Sequence, residues 1–506
     1  MVPVLNADLH SACLHLLNRT QHAVSRESVD HQGHRLMKRL RATILCLLFP
    51  LVAANTCRAG EPVVVPAAEF QALLSAYALV KTRYVEAPDD KKLLEGAIAG
   101  MLASLDPHSG FLDKDELDAV RKDEAGEYTG IGISVDFAAA DMAVTAVTAG
   151  SPAYLAGIEP GDTIASIDGA TLSGMRLPEI ARRMRGVPGS ALDIGYRRGG
   201  SGAVRTARLH RAALLAQTVT TRAMPNGVAW IQVSAFEGRT AQDLVAALKT
   251  LDASGAPRGI VLDVRNDPGG LVSAAVGVAG AFLPAGTPLF SARGRATAAD
   301  PDPAAAAAAA AEATVTVDPR FYQRPGEPDV LADLPAWART VPLVVLVNGA
   351  SASSAELLAG ALQDHRRATV LGSRTFGKGS IQSIFPLTGD SAVKITVARY
   401  FTPNGHEIQA RGITPDVIVA PDLGTGLALR EEDLSQHLAA ILPAPDDTPP
   451  ATRAGVESTR MFGTRDDKAL AAAVSLLGPG QASRVGSVLG ALSPSLKQLG
   501  TALKRW

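Results

Sequence analysis

Gly259-Ile260-Val261-Leu262-Asp263-Val264 runs straight into Arg265-Asn266-Asp267-Pro268-Gly269-Gly270, and this passage decides the fold. A short apolar run bounded by turn residues reads as a buried strand. Leu271 to Phe282 follows it with a helical pattern. The same unit recurs on both sides. Upstream lie the strand Val228-Ala229-Trp230-Ile231-Gln232-Val233 and a helix from Ala241 to Leu251. Downstream, Leu343-Val344-Val345-Leu346-Val347 leads into a helix from Ala355 to His365. Strands alternating with helices predict βαβ units, hence an α/β fold from Ala216 onward.

Away from this core the pattern changes twice. Between Glu124 and about Leu214 the chain turns to short strands and tight turns: Gly130-Ile131-Gly132-Ile133-Ser134-Val135, Ala143 to Val147, and Gly161-Asp162-Thr163-Ile164-Ala165-Ser166-Ile167-Asp168-Gly169, with a helix from Leu177 to Arg185. From Pro66 to about Arg121 the spacing is helical, with Phe70, Leu73, Leu74, Tyr77 and Val80 on one repeat; Asp106-Pro107 closes the second helix, because the residue before proline avoids the helical region. Residues 292–341 lose order, with eight alanines (Ala304 to Ala311) and repeated prolines, and read as a mobile insertion. Pro443 to Pro450 is a linker and Asp466 to Leu477 a helix.

The amino terminus reads as an address. Met37-Lys38-Arg39-Leu40-Arg41 precedes the apolar run Ile44–Ala54, too short to span a bilayer stably, and small residues follow. This is the pattern of a secretory signal, with cleavage after Ala54 or, preferably, Ala59. An uncleaved inner-membrane anchor is the alternative, and Ala54-Asn55-Thr56 makes a poor lipid-attachment box before Cys57. Met37 is expected to be the true start, with residues 1–36 a mis-assigned extension. Cys13, Cys46 and Cys57 all precede the preferred cleavage, so the mature chain is expected to lack disulfides, thiolate metal sites and a cysteine nucleophile. Across 506 residues, 49 Lys+Arg balance 50 Asp+Glu. That balance supplies no global field for a polyphosphate and argues against nucleic-acid binding.

Two glycine- or serine-rich turns at strand ends carry the chemistry. Gly269-Gly270 can direct backbone N–H groups into a crevice at a strand's carboxyl end. In Asn348-Gly349-Ala350-Ser351-Ala352-Ser353-Ser354-Ala355-Glu356, Ser353-x-x-Glu356 fits a capping box, but the same hydroxyl sits at a helix start that favours a developing oxyanion. A nucleophilic serine needs a base, and no histidine of the mature chain sits in a turn with an acid partner. Lys378, in Thr375-Phe376-Gly377-Lys378-Gly379-Ser380-Ile381-Gln382, offers one. To act near pH 7 its pKa must fall by roughly three units through desolvation.

These motifs, together with Asp106-Pro107-His108-Ser109 and Tyr400-Phe401-Thr402-Pro403-Asn404-Gly405, resemble in order and spacing the carboxyl-terminal processing peptidases, the tail-specific serine proteases, over about residues 66–420. The resemblance implies a crotonase-like (ClpP/crotonase type) α/β catalytic core with an inserted PDZ domain and an amino-terminal helical segment. It implies Ser353 as nucleophile, Lys378 as base and Gln382 as assisting amide, with backbone N–H groups of Ser354 and of Gly269 or Gly270 as oxyanion donors. Family members commonly read Ser-Ala-Ser-Ala-Ser-Glu; here the fourth and fifth residues are exchanged, as Ser354-Ala355. Four extended residues would hold Lys378 and Gln382 about 13 Å apart, so either the chain bends at Gly379 or Gln382 acts through the fold.

The segment Gly130-Ile131-Gly132-Ile133 resembles a PDZ carboxylate loop, whose N–H groups would receive a peptide's terminal carboxylate while the peptide adds as a strand. The expected domains are a signal peptide (37–59), a helical region (60–123), a PDZ domain (124–215), a catalytic core (216–420) carrying the 292–341 insertion, and a linker with helical tail (421–506). The expected activity is that of an exported, periplasmic serine endopeptidase. It would act on proteins or peptides with apolar carboxyl termini and need no metal or organic cofactor; its only expected membrane dealings are signal-directed passage and peripheral association. A catalytically silent PDZ scaffold that only binds exported protein tails is the alternative, and a Ser-His-Asp hydrolase would require His365 or His406 at Ser353.

Overall fold

A computed structural model describes residues 66–478 except 139–140, 173–174, 176, 185, 201, 295–312, 324–325, 388–389, 420–428, 444–461 and 465. The expected extension, signal peptide, cysteines, polyalanine run, most of the 443–450 linker and the last residues lie outside the described part. The chain divides into a unit ending at Val85 and a larger one from Glu86. The first contributes helix α1 (Ala67–Arg83). Among the described residues no helix is long and apolar enough to cross a membrane.

The larger unit opens with α2 (Asp90–Ala103), capped where the Asp89 carboxylate accepts the Lys92 N–H. The helical reading of 66–121 is then corrected by a strand, β1 (Gly110–Leu112), which pairs antiparallel with a strand of the core (Ala392–Phe401). Asp106 turns the chain there, because its carboxylate accepts the N–H groups of His108 and Ser109 and the Ser109 hydroxyl. Helix α3 (Lys114–Ala125) starts in a reciprocal Asp113/Glu116 capping box and stops at Gly126 in the left-handed region.

A small β-domain follows. β2 (Glu127–Gly130) and β9 (Ala212–Leu215) form a two-stranded ribbon through which the chain enters and leaves it. Between them β3 (Ile133–Ala138), β4 (Asp141–Val147), β5 (Thr163–Ile167), β7 (Ala191–Arg197) and β8 (Arg205–His210) lie in that order, with β6 (Ala170–Thr171) on β5. Ile131, Ile158, Ile164, Ile167, Leu192 and Ile194 form a separate buried core. The expected strand over 130–135 is broken at Ile131-Gly132. Gly132 has φ +81°, and a Cβ there would stand 2.2 Å from Ser151 Cβ.

The core sheet runs β10 (Val219–Met224), β11 (Val228–Val233), β12 (Gly259–Asp263), β15 (Leu343–Val347), β16 (Thr369–Gly372), β19 (Val417–Ile418). Only β10–β11 is antiparallel. The continuous apolar runs are explained by burial on both faces. Ile260 and Leu262 of β12 face one hydrophobic cluster with Leu343, Val345 and Val347, while Val261, Val344 and Leu346 face another. The first cluster takes the helices at Thr240–Ala253, Val272–Gly280 and Ser354–Asp364; the second is covered by Lys468–Leu476. A second sheet joins β1, β13 (Pro288–Gly294), β14 (Ala313–Thr316), β17 (Ser380–Pro386) and β18 (Ala392–Phe401). The insertion read over 292–341 is too long. β14, Val315, Val317, Leu331, Ala338 and Val341 belong to the main core. Sparse apolar residues among prolines still fill a core when each is placed singly, a pattern with no period to read.

The helix Lys468–Leu476 is tied down by charge as well as by apolar contact. Arg265 donates to Asp263 (2.6 and 2.9 Å) and to Asp467 (2.7 and 3.0 Å), the residue capping that helix, and stacks 3.9 Å from the Phe462 ring centroid. It is 3% exposed.

Candidate active site

Parallel pairing of β12 with β15 sets the two turns singled out by sequence side by side at the strands' carboxyl ends. They are stitched together there. The Ser351 hydroxyl donates to the Val264 carbonyl (2.6 Å), Asn348 and Asn266 exchange hydrogen bonds (2.8 and 3.0 Å), and the Ala352 N–H donates to the Asp267 carbonyl.

Ser353 stands on this platform with φ +54° and ψ −116°. A non-glycine residue there is strained by about 1–3 kcal/mol, and such strain persists only where the surroundings over-determine it. Gly269 is one determinant. At φ +95°, a Cβ on it would lie 2.7 Å from Ser353 Cβ and 2.9 Å from the Ser354 nitrogen. Gly269→Ala is therefore expected to displace the serine and cut reactivity by about 100-fold, which active-site titration with a fluorophosphonate checks.

The sequence left open which glycine presents a free N–H. The Gly269 N–H donates to the Asp267 carboxyl (2.8 Å), whose pKa burial pushes well up. The N–H groups of Gly270 and Ser354 donate to no protein acceptor among the described residues. The exchanged Ser354 has a partner of its own: its hydroxyl donates to the Gly270 carbonyl (2.8 Å), tying the helix start to the glycine turn.

Glu356 does more than a cap. Its carboxylate is wholly buried and takes four donors: the N–H groups of Ser353 (2.9 Å) and Lys378 (2.8 Å) on Oε2, and the Thr375 hydroxyl (2.5 Å) and Gly377 N–H (2.7 Å) on Oε1. One side chain thus joins the backbones of Ser353 and Lys378. Burial lifts its pKa to about 7, against those same hydrogen bonds. A carboxyl whose folded pKa lies above its unfolded value stabilises fully below the unfolded pKa and loses that contribution as pH rises through the folded one. The stability difference between wild type and Glu356→Gln is thus expected to shift against wild type between pH 4.5 and about 7, by about 3 kcal/mol, as measured by urea unfolding at each pH.

Lys378 is half-buried. Desolvation, then the Lys394 ammonium, hold its amine below the usual lysine range, while Glu431, Glu356 and Asp106 pull the other way. Gln382 does not bond Lys378 in this structure. Its amide nitrogen donates to the Ser380 (3.0 Å) and Thr396 (3.1 Å) hydroxyls, and Thr396 donates to Asp106 (3.1 Å). The β17–β18 register shifts between Ile381 and Gln382, so the irregularity falls beside Gln382, three residues beyond Gly379.

The histidines divide clearly. His365 bonds the Pro288 carbonyl (2.6 Å) and His406 lies 3.5 Å from Asp364; neither hydrogen-bonds to Ser353. No histidine is expected to sit in a turn with an acid partner; His108 finds one by a long-range contact, its Nε2 2.8 and 3.0 Å from the buried Glu431 carboxylate. The partners are 323 residues apart, a separation without a local signal. Glu431 also accepts from Gln409, whose carbonyl oxygen receives the Gly379 N–H. Tyr400, quoted above only as part of a motif, is buried here with its hydroxyl donating to the Lys378 carbonyl. Among the described residues no group of three or more His, Cys, Asp or Glu side chains is placed to hold a metal. In the small domain, Gly130 ends β2, Ile131 enters the core and Ile133 begins β3, leaving the loop at Ile131-Gly132 between two strands.

The family profile described as Peptidase family S41 matches residues 227–419, a PDZ domain profile matches 143–198, and the profile of the activating protease CtpB N-terminal domain matches 53–116. A carboxy-terminal-processing protease of Bartonella bacilliformis is 36% identical over 71% of this chain and 78% of its own length. A carboxyl-terminal-processing protease of Synechocystis sp. is 33% identical over 72% and 80%. A solved photosystem II D1 C-terminal processing protease shares 29% identity over 68% of this chain and 86% of that one, with a TM-score of 0.39. The strand-end turns, the PDZ domain and the relatives agree: the chain belongs to peptidase family S41, among the carboxy-terminal processing proteases.

Proposed function

We propose that this chain is an exported serine endopeptidase that captures protein carboxyl termini and cleaves through a Ser353–Lys378 dyad. The observation carrying the proposal is a desolvated amine on a loop that Glu356 fastens to a strained serine at a helix start. Neutral Lys378 takes the Ser353 proton as Oγ attacks the peptide carbonyl carbon. The resulting oxyanion is held by the N–H groups of Ser354 and Gly270, in a site built before the charge develops. Collapse breaks the C–N bond, and the leaving amine takes the proton from Lys378. Water then attacks the acyl-enzyme carbonyl carbon, losing a proton to Lys378; the C–Oγ bond breaks, and Lys378 passes that proton to the Ser353 oxygen. Gln382 supports this from a distance, fixing Thr396 and through it Asp106, one of the charges bearing on the amine.

The PDZ domain would present the N–H groups of the Gly130-Ile131-Gly132-Ile133 loop to a substrate's terminal carboxylate, with an apolar last side chain beside them. The signal over 37–59 would direct the chain to the periplasm, the PDZ domain would span 124–215, and the core would be of crotonase type over 216–420. The test is a digest of an unfolded exported protein by the purified chain beginning at Gly60, with and without Ser353→Ala. Cleavage by the first protein alone is the expected result; equal cleavage by both overturns the assignment.

A further inference from the structure

The proposed chemistry asks Lys378 to remove a proton from Ser353, yet the two residues sit on different loops, one opening a helix and one preceding β17. Something must hold them in register. Two buried side chains grip the backbone around Lys378 from opposite ends of its peptide groups. Glu356 receives the N–H groups of Gly377 and Lys378, and the oxygen that takes Lys378 also takes the Ser353 N–H. Tyr400, on β18, donates its hydroxyl to the Lys378 carbonyl and its own N–H to the Gly379 carbonyl (2.9 Å). Its ring is held edge-to-face against Phe290, with centroids 6.0 Å apart.

We propose that Glu356 and Tyr400 are positioning residues that clamp the Lys378 peptide from both sides, setting the distance between its amine and the Ser353 hydroxyl and keeping that amine out of water. The proposal rests on the dyad reading above. Ser353 also bears on the titration of the Tyr400 phenol. Burial drives its pKa well up, and a hydrogen bond with the Ser353 side chain works against that rise. A phenol has a single proton, which Tyr400 gives to the Lys378 carbonyl. The charged groups bearing on the amine are Lys394 from β18, Glu431 and Asp106 from flanking segments, and Glu356 itself. Loosening the clamp lets the amine move toward solvent, and its titration then moves up toward that of a free lysine.

The experiment compares wild type, Tyr400→Phe, Glu356→Gln and Lys378→Ala in the full chain. It measures kcat and KM on a fluorescence-quenched peptide ending in two valines, and fluorophosphonate labelling of Ser353 against pH. Tyr400→Phe keeps the ring and removes one oxygen, so it remains informative if Glu356→Gln fails to fold. Both variants are expected to lower kcat by about 100-fold with KM unchanged, as a misplacement near 1 Å would; Tyr400→Phe is expected to raise the pH midpoint of labelling, whereas Glu356→Gln also removes a carboxylate that raises that titration and is read by kcat alone. An unchanged kcat in Tyr400→Phe, or a fall in its kcat with no movement of the midpoint, overturns the clamp. Lys378→Ala separates the two readings. If it retains hydrolysis the dyad is wrong; if it is inactive while Tyr400→Phe behaves as wild type, only the clamp is wrong.

Discussion

Lys378→Ala is expected to abolish peptide hydrolysis, with a fall in kcat of up to about 10⁴-fold, the upper end of what a positioned general base supplies. The fold should survive. Among the described residues the amine makes no ion pair, and desolvation already displaces its titration. Removing a group that is uncomfortable in its surroundings leaves no partner charge behind, so the midpoint of thermal unfolding should hold or rise slightly. Ser353→Ala should match the loss of activity, because residues that act as one unit are not additive. His365→Ala and His406→Ala should leave hydrolysis intact, since the first side chain serves the Pro288 carbonyl and the second, itself exposed, sits beside Asp364. Activity that survives in Lys378→Ala but vanishes in either histidine variant would return the chain to a histidine-based mechanism.

Arg265→Ala is expected to have the largest effect on stability, a loss of about 3–5 kcal/mol, the cost of breaking a buried ion pair from one side. The guanidinium neutralises Asp263 and Asp467 at once, and Asp263 also accepts the Trp230 indole N–H (2.9 Å). Alanine would leave two buried carboxylates facing each other under the helix Lys468–Leu476, and the Phe462 ring without its cationic neighbour. Urea unfolding of the variant measures the loss, and amide exchange should show that helix opening first. Asp467→Leu should cost less in the Arg265→Ala background than in wild type, because contacting sites couple rather than add. The exposed pair Lys114–Asp118 (3.2 Å) provides the contrast. Lys114→Ala should leave the unfolding midpoint where it is.

Much of the local architecture follows from neighbours in sequence. The strands Val228–Val233 and Leu343–Val347 occur where the apolar runs place them. The helix predicted from Ala355 begins one residue earlier, at Ser354, with Glu356 binding the Ser353 N–H as a capping pattern demands. The rest needed partners that no local pattern announces. Glu356 shows the limit well: its spacing from Ser353 reveals a cap, while its bonds to Thr375, Gly377 and Lys378 come from a loop about twenty residues on. Tyr400 likewise stands among motif residues, but only the pairing of β17 with β18 lays its hydroxyl on the Lys378 carbonyl.

The sequence by itself determined the α/β alternation, the two turns at strand ends and the family resemblance, because periodicity and backbone sterics act between residues a few positions apart. Only the tertiary structure decided that Gly270 rather than Gly269 keeps its N–H unengaged, that His108 meets Glu431, that Arg265 meets Asp467, and that residues 313–341 belong to the core. Those outcomes depend on which strands pair and in what register. Register is settled by burying whole faces at once, so it belongs to the assembled sheets and to no single stretch of chain.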